Sequence, residues 1–599
     1  MTVSAPRNLR EYINHLRERG LVMDVQEPVS AHLELAEIHR RVAAANGPTL
    51  LFHNVVGSTF PVVTNLFGSS RHVDLAFGSE PMEFIEQMLH LLTQDFPPKL
   101  STLWAKRKYL QRMLSLGTRS RSSAPVTECQ QRKVDLEQLP LLQLWPDDGG
   151  HFVTLPLVYT EPIDKGPPNL GMYRLQRYDK ETTGLHWQIA KGGGFHFHQA
   201  EQQDQPLPVS VFLGGPPALI LSAIAPLPEN VPEILLSSLL LGSKLATTRV
   251  KNHPHPLIAE SEFALLGHAI PHERQPEGPF GDHYGYYSLK HPFPKFQCKR
   301  VYHRKDAIYP ATIVGKPRQE DYYIGNYLQK LLSPLFPVVM PGVKNLWSYG
   351  ETGFHSLSAA VVKERFYRES MASAFRILGE GQLSLTKFLL LTDQPVDLED
   401  FPRVLETILE RFRPETDLFI FANLSMDTLD YTGPELNKGS RGVLVGTGEP
   451  VRSLPSSFSG ALPGPFSKAK VFCPGCLVLQ GPSIDESTPF EELLKHESFK
   501  NWPLIILVDD VDTATKHVPA FLWTVFTRFE PAADIYAPRT KVIRHHLSYS
   551  IPLLIDARMK ASYPKMVSCD ASTAHLVTDK WHKYFPDGME MGDSEWAHV

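Results

Sequence analysis

An internal repeat in the last third of the chain constrains its fold more than any other feature. The segment "LLLTDQPVDLEDFPRVLETILERFRPETDLFIF" at 389–421 resembles "IILVDDVDTATKHVPAFLWTVFTRFEPAADIYA", which begins at residue 505. Each copy has the pattern of a strand, an Asp-rich turn, an amphipathic helix and a Pro-marked return to a strand, which predicts a duplicated βαβ-type unit. A constant offset of 117 pairs identical residues: Asp393 with Asp510, Pro402 with Pro519, Arg411 with Arg528, Phe412 with Phe529, Pro414 with Pro531, and Asp417 with Asp534.

The regions before this repeat differ from it in their local pattern. With 599 residues the chain exceeds the size at which one hydrophobic core keeps growing, so several domains are expected. Helical and strand patterns alternate up to about residue 115, and short β-rich runs broken by Pro and Gly follow. We predict an α/β multidomain protein: an N-terminal α/β region at 1–118, a β-barrel-like middle domain at 119–318, a C-terminal α/β domain at 319–455, and a second, divergent α/β repeat with a tail at 456–599.

The composition limits the class of partner. The chain is 42% hydrophobic and 21% charged with a net charge of −5, which gives no reason to expect nucleic acid as a ligand. Its first residues have helical spacing, not the apolar core of a signal peptide, and no apolar run reaches the ~20 residues that span a bilayer. We expect a cytoplasmic protein with a small-molecule ligand, while peripheral membrane contact stays open.

Cysteine usage agrees with a reducing compartment, because five cysteines in so long a chain do not make a disulfide framework. Cys473 and Cys476 form one CPGC, the spacing of half a zinc site or of a redox pair. No second CxxC or CxxH accompanies it in the sequence, so a structural role is favoured over redox chemistry.

Two acids of the middle region stand where a helix cannot form. In "GHAIPHERQPEGPFGDHYGYYSLKHP", Glu277 and Asp282 lie among Pro and Gly residues, so they are not a solvated pair on a helix face. We predict a stiff loop. Turn capping is the alternative role for the two acids, and the tyrosines at 284, 286 and 287 are expected to be strand residues that pack the barrel.

A second stretch, "NLGMYRLQRYDKETTGLHWQIAKGGGFHFHQAE", offers further polar candidates. Strand alternation sends Asn169 and Arg174 to opposite faces unless a turn intervenes. Lys191 precedes three glycines whose backbone amides are able to approach a phosphate, although a solvated turn is the simpler interpretation. For Arg174, a buried ion pair with Glu262 is the alternative to a catalytic role.

These stretches carry a family resemblance. "NLGMYR", "TTGLHWQI", "PENVPE", "ESEFALLGHAI" and "PEGPFGDHYGYYS" occur in the order and at about the spacing seen in the UbiD family of reversible decarboxylases, which the chain resembles up to about residue 450. The resemblance implies a middle domain like the split barrel of flavin reductases and a C-terminal α/β domain used in oligomerisation, as a dimer or hexamer. It also implies prenylated FMN, made by a separate flavin prenyltransferase and held through its phosphate by a divalent metal such as manganese, with potassium nearby.

The resemblance also assigns catalytic roles. The arginine and two acids of the family fall on Arg174, Glu277 and Asp282, and Arg174 is also expected among the residues that contact the cofactor. A carboxylic acid must deliver a proton to the carbon that loses CO2, so one of the two acids is expected to have a raised pKa. Either acid is a candidate donor.

The metal ligands implied by the resemblance are Asn, His and Glu. Asn169 and Glu233 match, but Ala190 stands where the His is expected, which should weaken metal binding. For Glu233, a helix acid in the first turn is the alternative interpretation. His196 and His198 are candidate replacements for the missing ligand.

The phosphate-binding basic residue of the family maps onto Arg441 in "NKGSRGVLVG", and an arginine keeps the charge and is able to fork onto phosphate oxygens. Lys191 is a further cofactor-binding candidate and a candidate substitute for the absent His.

The implied activity is the non-oxidative, reversible decarboxylation of an aromatic or unsaturated acid. The duplicated unit and the length are similar to those of the longer UbiD-like enzymes, including ones proposed to act in menaquinone synthesis, whereas shorter relatives act in ubiquinone synthesis. Because the metal His is missing, two alternatives stay open: an inactive scaffold or regulatory subunit, and a protein that binds ordinary FMN.

Overall fold

The computed structural model describes residues 5–94, 99–187, 192–227, 231–316, 318–484 and 488–594. The chain forms two compact units: one runs up to Leu331 and resumes at Lys565, and the other comprises Leu332–Pro564. The chain therefore leaves the first unit, builds the second, and returns to the first. Among the described residues, no helix is long and apolar enough to cross a membrane.

The first unit begins with a helical and strand region, as the sequence predicts. The N-terminal helix is capped by the Asn8 side chain, which accepts from the Glu11 amide at 2.9 Å, and it buries Leu9, Tyr12, Ile13 and Leu16. The elements are α1 (Leu9–Arg17), β1 (Val22–Val25), α2 (Glu34–Ala44), β2 (Thr49–Phe52), β3 (Val62–Thr64), α3 (Ser70–Phe77), α4 (Glu80–Thr93), α5 (Leu100–Ala105) and α6 (Arg107–Met113). β1 pairs in parallel with β2, and β3 continues the sheet.

The middle region is built on a long antiparallel hairpin. The elements are β4 (Thr118–Ser120), β5 (Cys129–Gln130), β6 (Phe152–Val153), β7 (Leu157–Thr160), β8 (Asn169–Gly171), β9 (Leu175–Gln176), β10 (Thr182–Gly184), α7 (Gly192–Gln202), β11 (Leu207–Leu213), α8 (Pro217–Ile224), α9 (Glu233–Leu241), β12 (Leu245–Thr248), β13 (Leu257–Ile258), β14 (Phe263–Glu277), β15 (His291–His303), β16 (Tyr309–Pro310) and α10 (Glu320–Leu332). The main sheet has the order β10-β15-β14-β11-β7-β8, and β5 also pairs with β15.

The expected turn at the three glycines is wrong. Gly192, Gly193 and Gly194 form the first turn of α7 instead. Glycine has low helix propensity, so the local sequence gives no sign of this helix, whose buried side is formed by Phe197 and Ala200. Packing of that side against the sheet overrides the propensity of its first residues.

The second unit contains two sheets with the same topology. The first has the order β17-β18-β19-β21-β20 and the second the order β22-β23-β24-β28-β25. Both run antiparallel, parallel, parallel, antiparallel along that order. The elements are α11 (Phe336–Val339), β17 (Val343–Ser348), β18 (Leu357–Val362), α12 (Glu369–Leu378), β19 (Phe388–Thr392), α13 (Phe401–Leu409), β20 (Leu418–Ser425), β21 (Lys438–Gly446), β22 (Lys468–Cys473), β23 (Cys476–Gln480), α14 (Phe490–Leu493), β24 (Leu504–Val508), α15 (Val511–Ala514), α16 (Val518–Arg528), β25 (Ile535–Tyr536), β26 (Thr540–Ile543), β27 (His546–Tyr549) and β28 (Leu553–Asp556).

A shared hydrogen bond follows the sequence offset between these sheets. The Asp417 carboxylate accepts from the Arg413 amide at 2.7 Å, and the Asp534 carboxylate accepts from the Glu530 amide at 2.6 Å. Each bond closes the turn that returns the chain from the helix to the edge strand. Side chains from both sheets, including Leu390 and Ile506, share one hydrophobic core.

The last helix, α17 (Ala571–Tyr584), packs against α2 in the first unit. Arg41 of α2 donates to the Thr578 hydroxyl at 2.7 Å and to the Ala574 carbonyl at 2.9 Å. Val577 and Trp581 enter the same hydrophobic core as Leu35 of α2. The helix α17 is thus an integral part of the first unit.

Candidate active site

Arg174 is the centre of a buried charge cluster in the first unit. Its Nε and Nη2 donate to the two carboxylate oxygens of Glu277 at 2.7 and 3.0 Å, and its Nη1 donates to Asp282. Nη2 also donates to the Ser288 hydroxyl at 3.1 Å, and the guanidinium lies 4.5 Å from the centre of the Phe280 ring. The structure therefore brings together the arginine and two acids singled out in the sequence.

Residues 172–174 lie between β8 and β9 and belong to neither strand, so strand alternation does not determine the direction of the Arg174 side chain. The predicted alternative pairing with Glu262 is wrong. Glu262 pairs instead with Arg10 at 3.2 Å and Arg304 at 3.6 Å. Arg174 instead donates to the two acids and to Ser288.

The two acids come from different kinds of backbone. Glu277 is the last residue of β14, so the expectation that both acids lie on a loop is wrong for this one. Asp282 lies in the following hairpin, in which Gly281 pairs with Tyr287 and the Asp282 amide donates to the Tyr286 carbonyl at 3.0 Å. The tyrosines at 284, 286 and 287 are buried, as expected, but they pack this hairpin and not a strand of the main sheet.

The pKa values of both acids are lowered. Burial raises the pKa of Glu277, but the charge of Arg174 and the hydrogen bonds from His186 and Arg174 outweigh it. For Asp282, burial likewise raises the pKa, and His283 followed by Arg174 brings it below its usual range. The expectation that one acid has a raised pKa is therefore wrong for this arrangement, in which both acids are held ionised.

Sequence reasoning missed three further residues of the cluster. His186 Nδ1 lies 3.2 Å from a Glu277 oxygen, His283 Nδ1 contacts Asp282, and the Ser288 hydroxyl accepts from both Arg174 and the Phe280 amide. Burial, followed by the charge of Arg174, lowers the pKa of His186, which favours a neutral imidazole. No sequence pattern assigned His186 to this cluster. The structure brings it there because it follows β10, which pairs with β15.

The structure places Glu233 against the backbone next to Asn169. Glu233 is the first residue of α9, and its carboxylate accepts from the Leu170 amide, next to Asn169, at 2.9 Å. Burial raises the pKa of Glu233, so its negative charge lacks full compensation. A Cβ on Gly192 would lie 2.2 Å from the Asn169 amide oxygen, so glycine is required for this close approach.

The remaining metal and phosphate candidates are placed differently. Lys191 and Ala190 lie outside the described residues. His196 hydrogen-bonds to the Thr160 hydroxyl at 2.9 Å, and His198 to the Gln202 side chain at 3.1 Å. Neither contact involves Asn169 or Glu233, and within the described ranges no group of three or more His, Cys, Asp or Glu residues is arranged to hold a metal.

Arg441, in β21 of the second unit, has its Nη2 bound to the Ser425 carbonyl at 2.8 Å and its Nη1 3.4 Å from the Leu378 carbonyl. Its Nε has no hydrogen-bond partner in the part of the chain that the structure describes. Burial lowers its pKa. Phosphate binding by Arg441 stays a prediction.

The residues near Asn169 fit a metal-bound phosphate. The amide oxygen of Asn169 and the carboxylate of Glu233 are the hard oxygen donors that Mg²⁺ and Mn²⁺ prefer. The Trp187 Nε1 atom, which lies beside Gly193, is buried and has no partner among the described residues, so a polar group of a ligand would satisfy it. A cation at Glu233 would also compensate the charge of this half-buried carboxylate.

Comparison with known families matches most of the sequence to the domains of one family. Residues 13–92, 118–317 and 322–446 match the N-terminal, Rift-related and C-terminal domains of 3-octaprenyl-4-hydroxybenzoate carboxy-lyase, the UbiD family. The chain belongs to the UbiD family of carboxy-lyases. The resemblance inferred from the sequence motifs is confirmed.

Relatives of nearly the same length occur in Chlamydia. A Chlamydia trachomatis protein of uncharacterised function is 55% identical over 584 residues, which covers 97% of this chain and all of the relative. A Chlamydia pneumoniae protein, named as one of the subunits of a 4-hydroxybenzoate decarboxylase, is 54% identical and covers 97% of this chain and 98% of its own length. An uncharacterised protein of Archaeoglobus fulgidus is 33% identical, over 72% of this chain and 89% of the relative.

Solved structures share the fold. The vanillic acid decarboxylase of Sedimentibacter hydroxybenzoicus in closed form superposes with a TM-score of 0.65 at 23% identity, over 77% of this chain and 96% of that one. The UbiD-class enzyme HmfF of Pelotomaculum thermopropionicum in complex with FMN gives a TM-score of 0.61 at 22% identity, over 74% and 94%. The fold is thus a mixed α/β multidomain fold of the UbiD class.

Proposed function

We propose that this chain catalyses the non-oxidative, reversible decarboxylation of an aromatic acid with prenylated FMN. The single observation that carries the proposal is the buried Arg174 guanidinium that binds both Glu277 and Asp282. An inactive scaffold has no need to bury two acids around one arginine, because the cluster costs desolvation energy without adding a binding surface.

We assign the proton delivery to Asp282. Glu277 is bound by two guanidinium nitrogens and by His186, whereas Asp282 has one guanidinium nitrogen and the neighbouring His283. A substrate carboxylate that binds Arg174 competes for this guanidinium. Asp282, which has fewer guanidinium contacts, then loses its ion pair with Arg174 first. Because Asp282 is buried, its pKa rises, and it takes up the proton that replaces CO2.

Prenylated FMN, when bound, supplies the electron sink that stabilises the charge left on the substrate carbon. Asn169 and Glu233 are the residues that would hold a divalent metal at its phosphate, and Lys191 and Arg441 are candidate phosphate ligands. Glu277 stays ionised and fixes the orientation of Arg174. Ser288 holds the remaining Nη2 proton, so the guanidinium plane is set before the substrate arrives.

The substrate class is proposed from relatives. One relative is named as part of a 4-hydroxybenzoate decarboxylase, and the similar structures include decarboxylases of vanillic acid and of 3,4-dihydroxybenzoic acid. We propose a hydroxylated aromatic acid in quinone synthesis, either menaquinone or ubiquinone, a flavin prenyltransferase as supplier of the cofactor, and a homo-oligomeric assembly.

We further propose that the two sheets of the second unit are divergent copies of one ancestral unit, and that the middle sheet is a split barrel. The first inference is supported by the constant offset of 117, the common strand order and the matching turn bonds at Asp417 and Asp534. The second is supported by the antiparallel order around the β14–β15 hairpin.

The test is to produce the protein together with a flavin prenyltransferase and to record the absorption and mass spectra of the extracted cofactor. We expect prenylated FMN in the wild type and turnover of 4-hydroxybenzoate or a related hydroxylated acid. Ordinary FMN would favour the flavoprotein alternative, and absence of any flavin would favour the scaffold. Replacement of Asn169 and Glu233 together, by Ala and Gln, should abolish cofactor retention.

A further inference from the structure

The hairpin that carries Asp282 has a third strand from the far end of the chain. Tyr286 pairs in antiparallel fashion with Met566, the Tyr287 amide donates to the Lys565 carbonyl at 2.9 Å, and the Val567 amide donates to the Gly285 carbonyl at 3.1 Å. We call Lys565–Val567 the strap. It lies outside all three segments that match the UbiD family domains, the last of which ends at residue 446.

The hairpin has different supports on its two edges. On the first strand, the Gly281 amide donates to the Asp148 carboxylate and the Gly149 amide donates to the Pro279 carbonyl, both at 2.8 Å. These partners lie within the family-matched middle region. On the second strand, the Tyr287 amide bonds to the strap, so the two edges are held by parts of the chain more than four hundred residues apart.

An isolated two-stranded hairpin is marginally stable in water, and a third strand or a packed face is needed to hold it. The strap supplies this third strand and adds the buried side chain of Val567 to the core of the first unit. α17 anchors the strap, because Lys580 and Tyr584 both bind the Glu34 carboxylate of α2. The position of Asp282 therefore depends on how firmly the strap is docked.

We propose that the strap is a positioning element that holds Asp282 against Arg174. This inference rests on the proposed role of Asp282, but the docking of the strap on the hairpin can be tested without reference to activity. A misplacement of about 1 Å in a catalytic group costs on the order of 100-fold in rate, so a weakened strap should lower kcat without a matching change in KM.

Val567→Pro tests the strap with Val567→Ala as its matched control. Proline removes the amide that donates to Gly285, whereas alanine keeps the amide and removes more of the buried side chain. We expect Val567→Pro to lower kcat about 10- to 100-fold, with KM within about threefold, and to speed hydrogen exchange of the Tyr287 amide at least tenfold. Val567→Ala should change each quantity less than about threefold.

Hydrogen exchange of the Tyr287 amide tests the strap independently of the proposed decarboxylase activity. If the wild type holds its cofactor but turns over no aromatic acid, the proposed function fails, while the Tyr287 exchange rate still decides whether the strap holds the hairpin. Unchanged exchange in Val567→Pro, or equal losses in both variants, would overturn the strap. Should Val567→Pro not fold, Lys580→Met combined with Tyr584→Phe loosens α17, and the same faster exchange at Tyr287 is expected.

Discussion

Glu277 and Asp282 bind the same guanidinium but are held by very different parts of the molecule. Glu277 ends β14, which has 15 residues and pairs with β15 up to the partner position His291. Asp282 follows five residues later in a short hairpin whose outer strand depends on the strap. The comparison teaches that one acid ends a long strand of the main sheet, whereas the other lies in a short hairpin that is paired only through isolated bridges. This difference agrees with the proposed roles, in which Glu277 stays ionised and Asp282 delivers the proton.

The largest expected effect comes from removing the charge of the rigid acid. Glu277→Gln leaves the buried Arg174 without its bidentate partner, which should cost ~3–5 kcal/mol in the free energy of unfolding. Because the guanidinium loses its orientation, we expect kcat/KM to fall by roughly 10⁴-fold or more. Denaturant unfolding and steady-state kinetics of the cofactor-loaded protein measure the two effects.

Glu262→Gln is the control for this variant. Glu262 is as buried as Glu277 and is also paired with arginines, but it lies just before the opposite end of β14. It should lose comparable stability and keep its turnover. Equal loss of turnover in the two variants would mean that Glu277 acts through folding alone.

The next effect concerns the acid on the hairpin. Asp282→Asn keeps the size of the side chain but is unable to deliver a proton, so we expect kcat to fall ~10²–10⁴-fold while the cofactor spectrum is retained. Asp282→Glu should recover most of this loss, because it restores an acid one methylene further out. If the Asn and Glu variants are equally impaired, the hairpin acid serves packing and not proton transfer.

A smaller effect concerns the carboxylate that supports the first strand of the hairpin. Burial raises the pKa of Asp148 to about 6, although amide donors from Gly281, Trp145 and Leu144 oppose it. A carboxyl group with a raised folded pKa binds its proton more tightly in the folded state, so its contribution to stability falls as pH rises from about 4 through 6 and is constant above that range.

We therefore expect the wild type to lose up to ~3 kcal/mol relative to Asp148→Asn between pH 4 and pH 6.5, measured by urea unfolding at several pH values. The contribution of Glu277 to the unfolding free energy should depend on pH in the opposite direction. Its lowered pKa gives stability that is present at neutral pH and is lost as pH falls below the range of an ordinary glutamate. A stability difference between wild type and Asp148→Asn that does not vary with pH would contradict the assignment.

The smallest effect comes from the exposed part of the strap. Lys565 pairs with Asp147 at 2.7 Å, but both side chains are largely exposed. Lys565→Ala should change the unfolding free energy by less than ~1 kcal/mol, because surface ion pairs contribute little, and should leave kcat within about twofold. A large loss of stability or of kcat in Lys565→Ala would mean that this ion pair, and not the backbone hydrogen bonds, keeps the strap docked.

The sequence predicted what is encoded by local pattern and by motif. The repeat predicted the helices that the structure has as α13 and α16, whose first residues are related by the offset of 117. The motifs singled out Arg174, Glu277 and Asp282, which the structure brings together. Periodicity and turn residues act over short distances, so these features are readable from the string.

The features that sequence reasoning missed depend on long-range packing. Nothing in the sequence around Met566 indicates that it pairs with Tyr286, because the partners are far apart and the strap is only three residues long. The helix at Gly192 contradicts local propensity. The lowered pKa values of the two acids depend on which nitrogens of Arg174 they contact, and the order of residues in the sequence does not reveal these contacts.

The most direct measurement is a single turnover of the cofactor-loaded protein in D2O with a hydroxylated aromatic acid, followed by mass spectrometry of the product. We predict that the wild type places one deuterium at the carbon that lost CO2 and that Asp282→Asn, which retains the cofactor, forms no deuterated product on the same timescale. Deuteration by Asp282→Asn at the rate of the wild type would contradict the assignment of the hairpin acid as proton donor.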